Sequence, residues 1–188
     1  PMTAEGKELP PDGWYHGLSP NNPELRQKRL DDFRRHLQNP HIQGIWLDFI
    51  RYAVRWEKSQ PTLIDNCFSP ASLRQFDQFA GIRLSSSAST SEKSAEILSK
   101  HRSAWIDFKV NTIASWVEEA CRIRDRERPE VWIGLFAVPW LPDDFDGAIR
   151  NIAGQDFKIL AENVDVFSPM VYHRLCGKTT PWIGQVTL

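Results

Sequence analysis

IQGIWLDFIRYAVRW, running from Ile42 to Trp56, opens as an apolar strand and then turns abruptly polar and aromatic. Read with period two, Ile45, Leu47 and Phe49 share one face, and Trp46, Asp48 and Ile50 share the other. A strand covered on both faces should be apolar throughout, so Asp48, near the end of Ile42–Ile50, breaks the rule. In parallel α/β folds the C-terminal ends of strands are where ligands bind and catalytic groups project. Arg51, Trp56 and Glu57 follow closely. Two readings compete: a ligand site built on Asp48, and a structural Asp48–Arg51 pair that caps the strand. The convergence of carboxylates, guanidinium and indoles favours the first.

The same test finds further strands on either side. VWIGLFAV, Val131–Val138, is nearly continuous in apolar character and is ended by Pro139-Trp140. Val164–Tyr172 is another, and Trp14–Leu18 is a shorter candidate. Helical spacing of Leu25, Leu30, Phe33 and Leu37 runs from Pro23 to Asn39-Pro40. Further helices are predicted over Ala71–Ala80, stopped by Gly81, and near Ser91–Leu98. A long amphipathic helix spans Ala104–Glu127, with Trp105, Phe108, Ile113, Trp116, Val117 and Ile123 on its apolar side. Another covers Phe145–Leu160, behind Pro142-Asp143-Asp144. Strand alternating with helix predicts an α/β fold with a parallel sheet. The long stretch 51–104 leaves a strand C-terminus, the position of elaborated site loops.

Composition narrows the function classes. The 188 residues suit one domain with a real core. A net charge of −1, from 23 basic and 24 acidic residues well mixed, argues against nucleic acid or an anionic membrane as partner. No apolar run is long enough to span a bilayer, and PMTAEGKELPPDG at the start contains no apolar core of a signal peptide. The compartment is not legible. Cys67, Cys121 and Cys176 are too widely spaced for a disulfide framework or a zinc motif. There is no HxH, HExxH, G-x-S-x-G or Gly-rich phosphate turn, so no metal and no cofactor is expected. Eight tryptophans are many for this length. Trp14, Trp56, Trp140 and Trp182 lie among Pro, Gly and polar residues typical of loops, where indoles serve as platforms for sugar rings or anchors for a protein partner.

GWYHGLSPNNPELR, GIWLDFIRY with RWE, DNCFSPASLRQF, IGLFAVPW and DVFSPMVYHRLCG together resemble glycoside-hydrolase-like (β/α)8 barrels of bacteria, a family distantly similar to chitinase-like glycosidases. The resemblance runs from Gly13 to the C-terminus and implies a TIM-barrel type fold acting on carbohydrate. In the chitinase-like pattern a strand ends in Asp-aromatic-Glu, and the Glu is the general acid. Here Asp48 is kept and Ile50 stands at the Glu position. A later Met-x-Tyr facing the sugar is matched by Met170-Val171-Tyr172. Relatives carry further cysteines after the position of Cys67, where this chain has Ser69 and Ser72.

A whole barrel needs eight βα units. The strands read here match about strands three to six, so the expectation is a partial barrel over residues 14–188 behind an extended arm over 1–13. Its two open sheet edges imply self-association.

Glycoside hydrolysis commonly uses two carboxyl groups, one of them held protonated. Asp48, pointing with Trp46 into the barrel, is the first candidate for general acid/base. Glu57 is the second, its alternative being a loop glutamate paired with Arg55 or Lys58. Asp65 is a weaker third, read as a turn former. Arg51 can orient Asp48 or bind a substrate oxygen. Trp46, Trp56 and Trp140 are candidate sugar platforms, with packing as the alternative for Trp140. Tyr172 should share the end and face of Asp48; His173 and His16 are lesser lining candidates. The competing function is a catalytically silent barrel that binds glycan or a protein through aromatic loops.

Overall fold

The computed structural model describes residues 1–187. Among them, β1 (Gly44–Leu47), β2 (Trp132–Ala137) and β3 (Val166–Pro169) form a parallel sheet in the order β1-β2-β3. Each strand is shorter than its apolar run, so Asp48 and Tyr172 lie beyond the strand ends. The predicted strand at Trp14–Leu18 does not form. Tyr15 makes one antiparallel bridge with Asp12, and Gly17 is pressed against Ala53, where an added Cβ would sit 2.3 Å from the Ala53 methyl. Nor do residues 1–13 extend freely: Met2 bridges Glu8, and Thr3 bridges Asn66.

α1 (Pro23–Leu37) begins where the Asn22 side chain accepts from the N–H groups of Glu24 and Leu25, with Pro23 at its first turn. α2 (Pro70–Ala80) ends at left-handed Gly81, and α3 (Thr90–Lys100) starts with a Ser89/Glu92 capping box. α4 (Arg102–Glu127) is the long helix. The single helix expected over Phe145–Leu160 is instead α5 (Ala148–Asn151) and α6 (Phe157–Leu160). Gly154, φ +73°, breaks it where backbone must pass close to Tyr52 and the Lys109 carbonyl. α7 (Pro181–Thr187) follows β3.

The sheet has two unlike faces. Ile133, Leu135 and Ala137, with Ile45, Leu47 and Phe167 against them, join Leu30, Phe33 and Leu37 of α1 and Ile113, Val117 and Ala120 of α4 in the main core. Trp46, Trp132 and Phe136 alternate to the opposite side, where Trp46 and Trp132 are exposed. At that side the Trp46 indole lies flat across the sheet. A Cβ on Gly134 would meet its ring at 2.4 Å, and its Nε1 donates to Ser168 Oγ on β3 at 2.8 Å. One side chain thus touches all three strands.

Gly134→Val should therefore lift the indole off the sheet rather than unfold the core, since the ring has solvent to move into. The expected result is loss of the Trp46–Ser168 contact at a cost of about 1–3 kcal/mol. Tryptophan emission, compared in the background of Trp46→Phe, checks it: a Gly134→Val shift that persists without Trp46 would contradict the placement.

A buried ion pair holds the long loop to the helices. Lys109, fully covered, donates to Asp65 Oδ1 at 2.7 Å and to the Asn151 carbonyl at 2.5 Å. Asp65, expected as a turn former, is this lysine's counter-charge, and Trp105 Nε1 also reaches it at 3.3 Å. Among the described residues no helix is long and apolar enough to cross a membrane.

Candidate functional site

The site grows from the way β1 stops. After Leu47 the Asp48 carboxylate accepts its successor's N–H, Phe49 N, at 2.7 Å, and Phe49 takes φ +54°. A positive φ is costly for a bulky residue. The turn ends strand alternation, so Asp48 stands exposed at the C-terminal end of the sheet. It shares the rim of a cavity of about 620 Å³ with Trp14, Tyr15, His16, Trp46, Phe49 and Arg51. The cavity lies along the free edge of β1 and is floored by side chains of α1 and α4.

Arg51 is the unusual member. Only 4% of it is exposed, and its Nε and Nη1 have no hydrogen-bond partner among the described residues. Its guanidinium lies over the Phe49 ring at 4.7 Å, and Tyr15 stacks on that ring at 5.9 Å. Burial pulls the Arg51 pKa down, and the charges of Glu57 and Asp48 resist the shift. Arg51 therefore feels both candidate carboxylates without hydrogen-bonding either. The expected Asp48–Arg51 cap is not made.

Glu57 is set back from the cavity. Its Oε2 is buried, without a hydrogen-bond partner among the described residues, and lies 3.6 Å from Arg55 Nε. The Arg55 guanidinium is in turn covered by Trp14, at 4.6 Å from the ring. Arg55 is thus the partner that the structural reading of Glu57 named, although the pair is largely covered rather than solvated.

The aromatic candidates separate. Trp14 is 64% exposed and lines the cavity with Trp46. Trp56, expected on an open loop, is fully buried, with Tyr172 stacked over it at 5.7 Å and 14°. Trp140 is buried too, packed with Ala148 and Ile149 of α5 and against Phe145, the packing alternative. The charged neighbours of Trp56, Arg55 and Glu57, are themselves largely covered. Trp182 is likewise buried.

Tyr172 and His173 lie at the same sheet end as Asp48, in the turn after β3, but do not line its cavity. Strand parity holds as far as Trp46 and Ser168, which share a face and a hydrogen bond. It does not carry to Asp48 and Tyr172, because both sit past the last paired residues. Among the described residues no three His, Cys, Asp or Glu side chains converge to hold a metal ion. The three cysteines are buried and free; burial raises the thiols of Cys67 and Cys121 to about 11, and that of Cys176 upward as well. Such thiols are poor nucleophiles.

Two structural features outside the cavity had faint sequence signals. Gly134 inside an apolar strand marks close approach of another group, here the Trp46 ring. Lys109 falls four residues after Trp105 and seven before Trp116, on the buried side of α4.

No family model matches the sequence, and no curated protein matches it. Among solved structures, the chain is similar to the glycoside hydrolase domain of PgaB (BpsB) from Bordetella bronchiseptica, with a TM-score of 0.63 at 15% sequence identity. The match covers 90% of this chain and 44% of that one, so the chain spans less than half the length of its neighbour. At this identity the likeness is one of fold.

Proposed function

We propose that this chain is part of a glycoside hydrolase of the (β/α)8 type, acting on a poly- or oligosaccharide by carboxylate general acid/base catalysis. The observation that carries the reading is the placement of Asp48: at the C-terminal end of a parallel strand, on the rim of a cavity lined by Trp14, Tyr15 and Trp46. The fold likeness to a glycoside hydrolase domain supports it. Asp48 is the acid/base group, exposed and able to exchange protons with water between turnovers. Trp14 and Trp46 are the sugar platforms. Glu57 acts through Arg51 and Arg55 on the local field rather than on the substrate, because it is withdrawn from the cavity. Tyr172 and His173 belong to a neighbouring part of the same mouth.

A second reading is favoured by the pairing of Glu57 with Arg55 and by Ile50 at the position of the chitinase-like acid. In it, the aromatic rim binds glycan without cutting it. Incubation with neutral, N-acetylated and acidic oligosaccharides, followed by mass spectrometry of products, separates the two. Cleavage of at least one class is expected. Binding without cleavage across the panel would leave the silent reading, and neither binding nor cleavage would sink both.

A further inference from the structure

We infer that the cavity beside β1 takes a carboxylate-bearing sugar, its acid group held by Arg51, an inference that rests on the carbohydrate reading above. The structural observation is a charge buried without a counter-ion in contact. Arg51 lines the cavity with its Nε and Nη1 unpartnered among the described residues. Neither acid within its field makes an ion pair with it among the described residues: Asp48 accepts from Phe49 N, and Glu57 lies 3.6 Å from Arg55 Nε. Across the cavity Arg29 is largely exposed and shares Asp32, at 3.7 Å, with Arg35, so Arg51 is the buried cation of this lining without an acid in contact.

A buried guanidinium without acceptors is held at a cost that a ligand can relieve, and its planar fork matches a carboxylate in geometry and charge. A neutral hydroxyl would satisfy one donor and leave the charge uncompensated. The stack of Tyr15 on Phe49 beneath the guanidinium fixes its plane in advance. Phe49 is itself 46% exposed and lines the same cavity. The exposed indole of Trp14 on the same rim supplies a face for the pyranose ring, which distinguishes an acidic sugar from a bare anion.

Calorimetric titration of the chain with trigalacturonic acid and with its fully methyl-esterified form isolates the carboxylate on one scaffold. The acid should bind at least about tenfold more tightly than the ester, with an advantage that shrinks in high salt and disappears in Arg51→Gln. Acetate should not compete at equal concentration. Equal affinities of acid and ester would overturn the inference, as would full competition by acetate, which would mean a bare carboxylate site. Should Arg51→Gln fail to fold, the wild-type comparison of acid with ester still decides. Cleavage or binding of neutral oligosaccharides only would remove the acidic specificity and leave the carbohydrate reading standing. No saccharide bound or cut would end both.

Discussion

Asp48→Asn should abolish glycan hydrolysis while leaving the fold and ligand affinity nearly unchanged. General acid–base catalysis typically contributes about 10²–10⁴-fold, and an amide can neither give nor take the catalytic proton. The substitution is mild for the structure because of what Asp48 does locally. Its one hydrogen bond among the described residues accepts from the N–H of Phe49, and the amide oxygen of Asn can accept the same bond. The turn with Phe49 at φ +54° is then kept. Asp48→Ala would remove that support, so inactivity in the alanine variant would be ambiguous where inactivity in the asparagine variant is not. Melting temperature and turnover measured on the same preparation check the claim. Undiminished turnover by folded Asp48→Asn would remove the acid/base role.

Asp65→Ala should be the most damaging change to stability away from the site. It strands the Lys109 ammonium, which is fully covered and whose pKa burial already pulls downward against the pull of Asp65. Breaking a buried pair by removing one partner typically costs about 3–5 kcal/mol. For a chain of this size that corresponds to a fall of roughly 10 °C in melting temperature. Beyond the ion pair, Trp105 Nε1 and the N–H of Asn66 also lose their acceptor, while the Asn151 carbonyl still holds Lys109. Removing the charge as well, in Asp65→Ala with Lys109→Met, should recover much of the difference, because an apolar pair no longer confines an ion. Thermal unfolding of the single and double variants measures it. A double variant less stable than Asp65→Ala alone would show that the lysine stem and its bond to Asn151 outweigh the stranded charge.

The contrast between these two aspartates shows where sequence reading reached. Asp48 stood out because it interrupts an apolar strand, a signal carried by its immediate neighbours. Asp65 looked like a turn residue because its partner is forty-four positions away on α4. The strands were legible for the reason Asp48 was: Ile133, Leu135 and Ala137 are buried, and their apolar run declares it. Helix ends were legible at Pro23 and Gly81, which act through their own backbones. The break between α5 and α6 was not, because Gly154 matters through its approach to Tyr52. Trp56 reads as an open platform for a similar reason: its charged neighbours Arg55 and Glu57 look solvated in sequence but fold inward as a pair, while for Trp140 the packing alternative is the one found. The pattern around Tyr15 reads as a strand, yet its aromatic stacking on Phe49 and the tight seat of Gly17 on Ala53 shape that segment instead.

The uneven spacing of the sheet along the chain bears on how the chain orders itself. Gly134 pairs with Val166, whereas Gly44 pairs with Trp132, a loop almost three times longer. Loop-closure entropy rises with the logarithm of length, so joining β1 to β2 costs about 1 kcal/mol more than joining β2 to β3. The end of β1, with its strained Phe49 and uncompensated Arg51, is thus attached by the more expensive of the two closures. Chain connectivity and site chemistry load the same strand.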